Sequence, residues 1–98
     1  MKLEKALTNN ELTIAVSGRL DTMTAPELDQ EIKLNTDSIS SLVLDFANLE
    51  YVSSAGLRVL LSAQKKMSTK GSMVICNVNE TIKEIFDVTG FSEILTIK

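Results

Sequence analysis

A chain of 98 residues with 44% hydrophobic and 23% charged content describes one ordinary globular domain over residues 1–98, with a single core and no need of disulfides or metals. Its 13 acidic residues outnumber its 10 basic ones, for a net charge of −3, so it lacks the cationic excess on which nucleic-acid or anionic-membrane binding depends. The expected partner is another protein.

Met1-Lys2-Leu3-Glu4-Lys5 has no long apolar segment behind its charges, and no stretch is long enough to span a bilayer, so a cytoplasmic protein is expected. Lys2 to Leu7 and Leu12 to Ser17 read as two strands of a hairpin around Asn9-Asn10. Thr24-Ala25-Pro26-Glu27 has the form of a capping box, in which the Thr24 hydroxyl accepts the Glu27 N–H and the Glu27 carboxylate reaches back. Ala25, Leu28 and Ile32 continue at helical spacing, and the helix fades near Leu34-Asn35. Ser41 to Phe46 is continuously apolar at its centre, as a strand covered on both faces would be.

Two adjacent hydroxyls, Ser53 and Ser54, then stand where this apolar segment gives way to an amphipathic helix. In that helix Leu57, Leu60, Leu61 and Met67 fall on one side, and Arg58, Ser62, Lys65 and Lys66 on the other. Val59 falls with the polar set, where it reads as either a lone surface valine or a partner contact. Gly71 ends the helix, and Met73 to Cys76 forms a buried strand in which the single Cys76 is a small buried thiol. Asn79 caps a third helix with Ile82, Ile85 and Phe86 inward, Gly90 supplies its left-handed end, and Ile94 to Ile97 forms a last strand. The order β-β-α-β-α-β-α-β implies an α/β domain with a mixed, mainly parallel sheet of about five strands and three main helices.

Catalysis finds little support. There is no histidine, which removes the Ser-His-Asp triad and the commonest general base near neutral pH. Val52 stands where a Gly-x-Ser-x-Gly elbow needs its first glycine. Ser62-Ala63-Gln64-Lys65 matches a Ser-x-x-Lys spacing, but without companion motifs it reads as a polar helix face. The glycines are scattered singly, so no phosphate-binding loop, cofactor site or metal site is expected. What remains is a hydroxyl pair at a helix N-terminus, where unpaired N–H groups and the positive pole of the macrodipole tolerate added negative charge. The same pair also fits an ordinary N-cap.

Three blocks carry a family resemblance: Gly18-Arg19-Leu20-Asp21 with Thr24-Ala25-Pro26; Leu42 to Phe46 continuing into Tyr51 to Leu61; and Ile85-Phe86 with Thr89-Gly90-Phe91. Across almost its whole length the chain resembles the STAS-domain anti-sigma factor antagonists. The resemblance implies a single STAS-like domain and a partner switch rather than an enzyme. In this family the phosphorylated hydroxyl lies two residues before the glycine of the Gly-Leu pair, which corresponds to Ser54. Ser53, where relatives often have Asp, is the reserve. The unphosphorylated protein would bind an anti-sigma factor that is itself a serine kinase, and so free the sigma factor. Phosphorylation would eject it, and a PP2C-type phosphatase would reset it.

By the same resemblance Asp21, Thr22 and Met23 form a loop beside the phosphoacceptor. Each reads equally as a turn or surface residue. Around the helix start the implied docking surface adds Ser53, Ala55, Gly56, Arg58, Val59 and Ser62, and Gly56 is also expected to permit close backbone packing there. A monomer is expected when the protein is free. The alternative is a STAS scaffold that is never phosphorylated, or a subunit of a signalling or lipid-transport assembly.

Overall fold

The computed structural model describes residues 1–98. The hairpin pairs β1 (Lys2–Thr8) with β2 (Glu11–Leu20) in antiparallel fashion, and Asn9 takes the left-handed conformation its turn demands at φ 57°. Helix α1 (Ala25–Asn35) crosses over to β3 (Ser41–Val52), which lies parallel to β2. Helix α2 (Ser54–Ser68) crosses over in turn to β4 (Ser72–Cys76), parallel to β3. Helix α3 (Glu80–Thr89) and a 3-10 turn (Phe91–Glu93) complete the chain. The sheet order is β1-β2-β3-β4, the mixed, mainly parallel α/β arrangement expected.

Alternation along the strands divides the sheet into two unlike faces. Leu12, Leu42 and Met73 stand in register, as do Ile14, Leu44 and Ile75, and all are buried. With Leu28 and Ile32 of α1, Leu60, Ala63 and Met67 of α2, and Ile82 and Phe86 of α3, they form one core. Each fully buried leucine or isoleucine contributes roughly 1.5–3 kcal/mol over the exposed state. The opposite face carries Thr13, Val43, Asp45, Val74 and Cys76, all only half-buried.

Several expectations are corrected by this layout. The apolar run of β3 does not mark a strand covered on both faces; it alternates between buried and half-exposed positions. Cys76 lies on the open face rather than in the core, and burial together with the nearby Asp45 carboxylate pushes its thiol above its ordinary pKa. The last strand contracts to a single parallel bridge between Ile75 and Ile97. The 3-10 turn takes up the residues before it, leaving only the Ile75 N–H to Thr96 C=O and Lys98 N–H to Ile75 C=O bonds, each 2.9 Å.

Candidate functional site

Strands β2 and β3 run parallel and end together, with Leu20 opposite Val52. The two segments that leave the sheet at this end, Asp21–Thr24 and Ser53–Ser54, are therefore neighbours. The carboxyl ends of parallel strands are the usual place for a functional site in such sheets.

Ser53 is the N-cap of α2. Its backbone is extended (φ −89°, ψ 176°), as a cap requires, and its hydroxyl accepts the Gly56 N–H at 3.4 Å. Its own N–H donates to the Leu20 C=O at 2.8 Å, while its C=O accepts the Leu57 N–H at 2.9 Å. Ser54 is the first helical residue and is exposed, so the capping duty falls on Ser53 and leaves the Ser54 hydroxyl to solvent.

Gly56 sits beneath this turn. A Cβ there would lie 2.8 Å from Leu20 Cγ and 3.0 Å from Val52 Cγ1, so the absence of a side chain lets the helix start approach the strand ends. Gly56 is thus buried and not part of the exposed docking surface. Val59 is likewise buried, at 9% exposure, and the expected contact on the solvent side is corrected. The buried positions of α2 are Gly56, Leu57, Leu60, Ala63 and Met67 with Val59 at the margin, because the helix packs on α1 as well as on the sheet. Leu61, expected to face inward, is half-buried. Arg58 and Ser62 are exposed and Ala55 is half-buried.

The Asp21 loop is more ordered than a plain turn. The Asp21 Oδ1 accepts the Met23 N–H at 3.0 Å and the Thr24 N–H at 3.2 Å. Partial burial would raise the Asp21 pKa. These hydrogen bonds and the Arg19 charge outweigh it and hold the carboxyl below its ordinary value. Thr24 does not form the capping box. Its backbone is helical rather than extended (φ −103°, ψ −21°), and its hydroxyl makes no helix cap. Instead it accepts the Asp21 N–H at 2.9 Å and donates to the Arg19 C=O at 2.8 Å. Arg19 lies over the Tyr51 ring, 4.6 Å from its centre. Met23 is 87% exposed, and Thr22 is exposed beside it.

Asp45 stands apart from this cluster, within β3. Its Oδ1 accepts the Asn77 side-chain N–H and the Ala47 N–H, both at 3.0 Å. That Thr24 serves the turn behind it rather than the helix ahead is missed by the sequence reading. The Asp21-x-x-Thr24 spacing is the only signal, and it competes with the capping box. No three His, Cys, Asp or Glu side chains converge as metal ligands. A depression of about 40 Å³ against Ala15, Asp45 and Asn48 lies midway along β2 and β3, away from the strand ends, and is water-sized.

The site is therefore an exposed surface of α2 and the Asp21 loop around a free hydroxyl. Comparison with known proteins matches residues 2–98 to the STAS domain family model. BtrV of Bordetella bronchiseptica, to which an anti-sigma factor antagonist role is ascribed, is 31% identical over 99 residues, covering 99% of this chain and 85% of BtrV. The anti-sigma F factor antagonist of Paenibacillus polymyxa is 31% identical over 91 residues, covering 88% of this chain and 76% of that protein. Among solved structures, unphosphorylated SpoIIAA superposes with a TM-score of 0.85 at 16% identity, covering 99% of this chain and 88% of SpoIIAA. The phosphorylated form of the same Bacillus protein gives 0.78, also at 16% identity, with 99% and 91% covered. At that identity the likeness shows the fold alone. No helix is long and apolar enough to cross a membrane.

Proposed function

From the premise that this chain belongs to the STAS domain family, we propose that it is an anti-sigma factor antagonist switched by phosphorylation of Ser54. The observation that carries this reading is the division of labour at the start of α2. Ser53 caps the helix and Ser54 offers an exposed hydroxyl, beside a loop that projects Met23. The unphosphorylated surface binds an anti-sigma factor with serine kinase activity, and that binding releases the sigma factor. A PP2C-type phosphatase restores the hydroxyl.

The switch follows from electrostatics. A phosphate adds about −1.5 to −2 charge at neutral pH. On the free domain that charge sits at the N-terminal pole of the 15-residue α2, where unpaired amides and the helix dipole favour it. The fold should stand. That SpoIIAA has been solved in a phosphorylated form supports the capacity of this fold to carry the group. In a complex the same phosphate would face a closely packed partner. Two like unit charges about 4 Å apart repel by roughly 4 kcal/mol at an effective dielectric near 20, or about three decades in affinity. Screening lowers that figure, yet one decade suffices for partner exchange.

The test is incubation with ATP and the cognate kinase, followed by mapping of added phosphate by mass spectrometry. Modification of the wild type and not of Ser54→Ala is the expected result. Equal modification of both would defeat the assignment. A STAS scaffold that is never phosphorylated would instead bind its partner equally well with Ser, Ala or Asp at position 54.

A further inference from the structure

We propose that Thr24 is the positioning residue of the Asp21–Thr24 turn, its hydroxyl fixing the direction in which Met23 is offered to a protein partner. The docking half of this rests on the function proposed above; the clamp itself rests on geometry alone. A threonine hydroxyl has one proton and two acceptor lone pairs. Here the nearest acceptor for the proton is the Arg19 C=O at 2.8 Å, with Asp21 Oδ1 at 3.2 Å, and a lone pair receives the Asp21 N–H at 2.9 Å. From the other end the Asp21 carboxylate receives the Met23 and Thr24 N–H groups. The two side chains thus lock the turn in both directions and leave Thr22 and Met23 as the residues it displays.

The turn is partly exposed, so water can replace these bonds, and Leu20 and Ala25 on either side stay anchored in the core. The fold therefore depends little on the clamp. What water cannot supply is a fixed direction for the loop. A methionine at 87% exposure gains most from contact when its backbone is already ordered, because ordering a loop on association opposes binding. Its flexible thioether suits an adaptable apolar contact. The hydroxyl is also released from the duty its position in a Thr-x-x-Glu sequence would give it, since it makes no bond to the amides of α1.

Amide hydrogen exchange on the full chain tests the clamp without any partner. Thr24→Val keeps the side-chain shape and removes the hydroxyl, Thr24→Ala is a second hydroxyl-free variant, and Thr24→Ser restores it. Exchange at the Asp21 amide should quicken at least tenfold in the valine and alanine variants and stay within threefold of wild type in the serine variant, with Ile14 and Leu44 unchanged in all. Unaltered Asp21 exchange in both hydroxyl-free variants would overturn the proposal. With the cognate kinase, Thr24→Val should weaken binding about tenfold in the wild-type background and no further in a Met23→Ala background. Equal losses in both backgrounds would make Thr24 merely structural and overturn its positioning role. A kinase that fails to bind wild type would instead defeat the proposed function, while the exchange measurement still decides the clamp.

Discussion

The Ser53 N–H donates to the Leu20 C=O at 2.8 Å, which ties the turn opening α2 to the strand leading into the Asp21 loop. Two segments separated by more than thirty residues of sequence are thereby one hydrogen-bonded unit. The exposed Ser54 and the exposed Met23 stand on either side of that bond.

Gly56→Ala should loosen this unit. The added Cβ would meet Leu20 Cγ at 2.8 Å and Val52 Cγ1 at 3.0 Å, and overpacking of this kind costs about 1–3 kcal/mol. Better helix propensity returns up to about 1 kcal/mol. A net loss of roughly 1–2 kcal/mol should lower Tm by about 4–8 °C per kcal/mol in a domain this size. Calorimetry showing an unchanged Tm would mean that α2 does not pack so tightly on the strand ends.

The two serines should separate cleanly by stability. Ser53→Ala removes the hydroxyl that accepts the Gly56 N–H and should cost about 1 kcal/mol, the usual value of an N-cap. Ser54→Ala removes an exposed hydroxyl with no capping duty, and its urea midpoint should stay with wild type. If Ser54→Ala proves the more destabilising of the two, the capping assignment is reversed.

Asp45 gives the protein a stake in its own ionisation. Hydrogen bonds from Asn77 and from the Ala47 N–H outweigh desolvation and hold its carboxyl below the ordinary value of 3.8. A carboxyl depressed by folding stabilises the fold above its unfolded pKa, and that contribution is lost as pH falls through the folded pKa. Asp45→Asn should therefore be less stable than wild type at pH 7, with the gap narrowing below about pH 4. Chemical denaturation at both pH values measures it; a gap that widens in acid would contradict the sign.

The element order can be read from the sequence because its signals are local: alternation for strands, Asn79 and Gly90 for the bounds of α3, and a hydroxyl pair at the start of α2. The misreadings at Thr24 and Ile94 arise where two local signals compete and the sequence pattern shows only one of them. The Thr-x-x-Glu pattern at Thr24 is outcompeted by Asp21, whose carboxylate draws the chain into a turn and leaves Thr24 with a helical backbone unfit for capping. Ile94 to Ile97 has strand-like residues, but the 3-10 turn at Phe91–Glu93 leaves room for one bridge. The site's serines are visible in the sequence because their spacing to Gly56 is local. The Thr24 clamp is not, because its acceptor is the backbone carbonyl of Arg19, which no residue type announces.

Val59 and Arg58 separate packing from docking most sharply. A helical wheel centred on the large leucines of α2 puts both outside, since it gives little weight to Gly56 and Ala63, whose small size marks the side that packs closest. The buried arc includes those two small residues, and Val59 lies within it. Val59→Ala should therefore destabilise the fold by about 1–2 kcal/mol through lost burial and the cavity left behind, with affinity for the kinase changed little once the protein is folded. Arg58→Glu alters an exposed charge and should leave stability within about 0.5 kcal/mol, while a docking role for Arg58 predicts weaker binding to the kinase. Paired urea denaturation and binding measurements on both variants decide between the two roles. The reverse pattern, with Val59→Ala folding like wild type but failing to bind, would return Val59 to the docking surface.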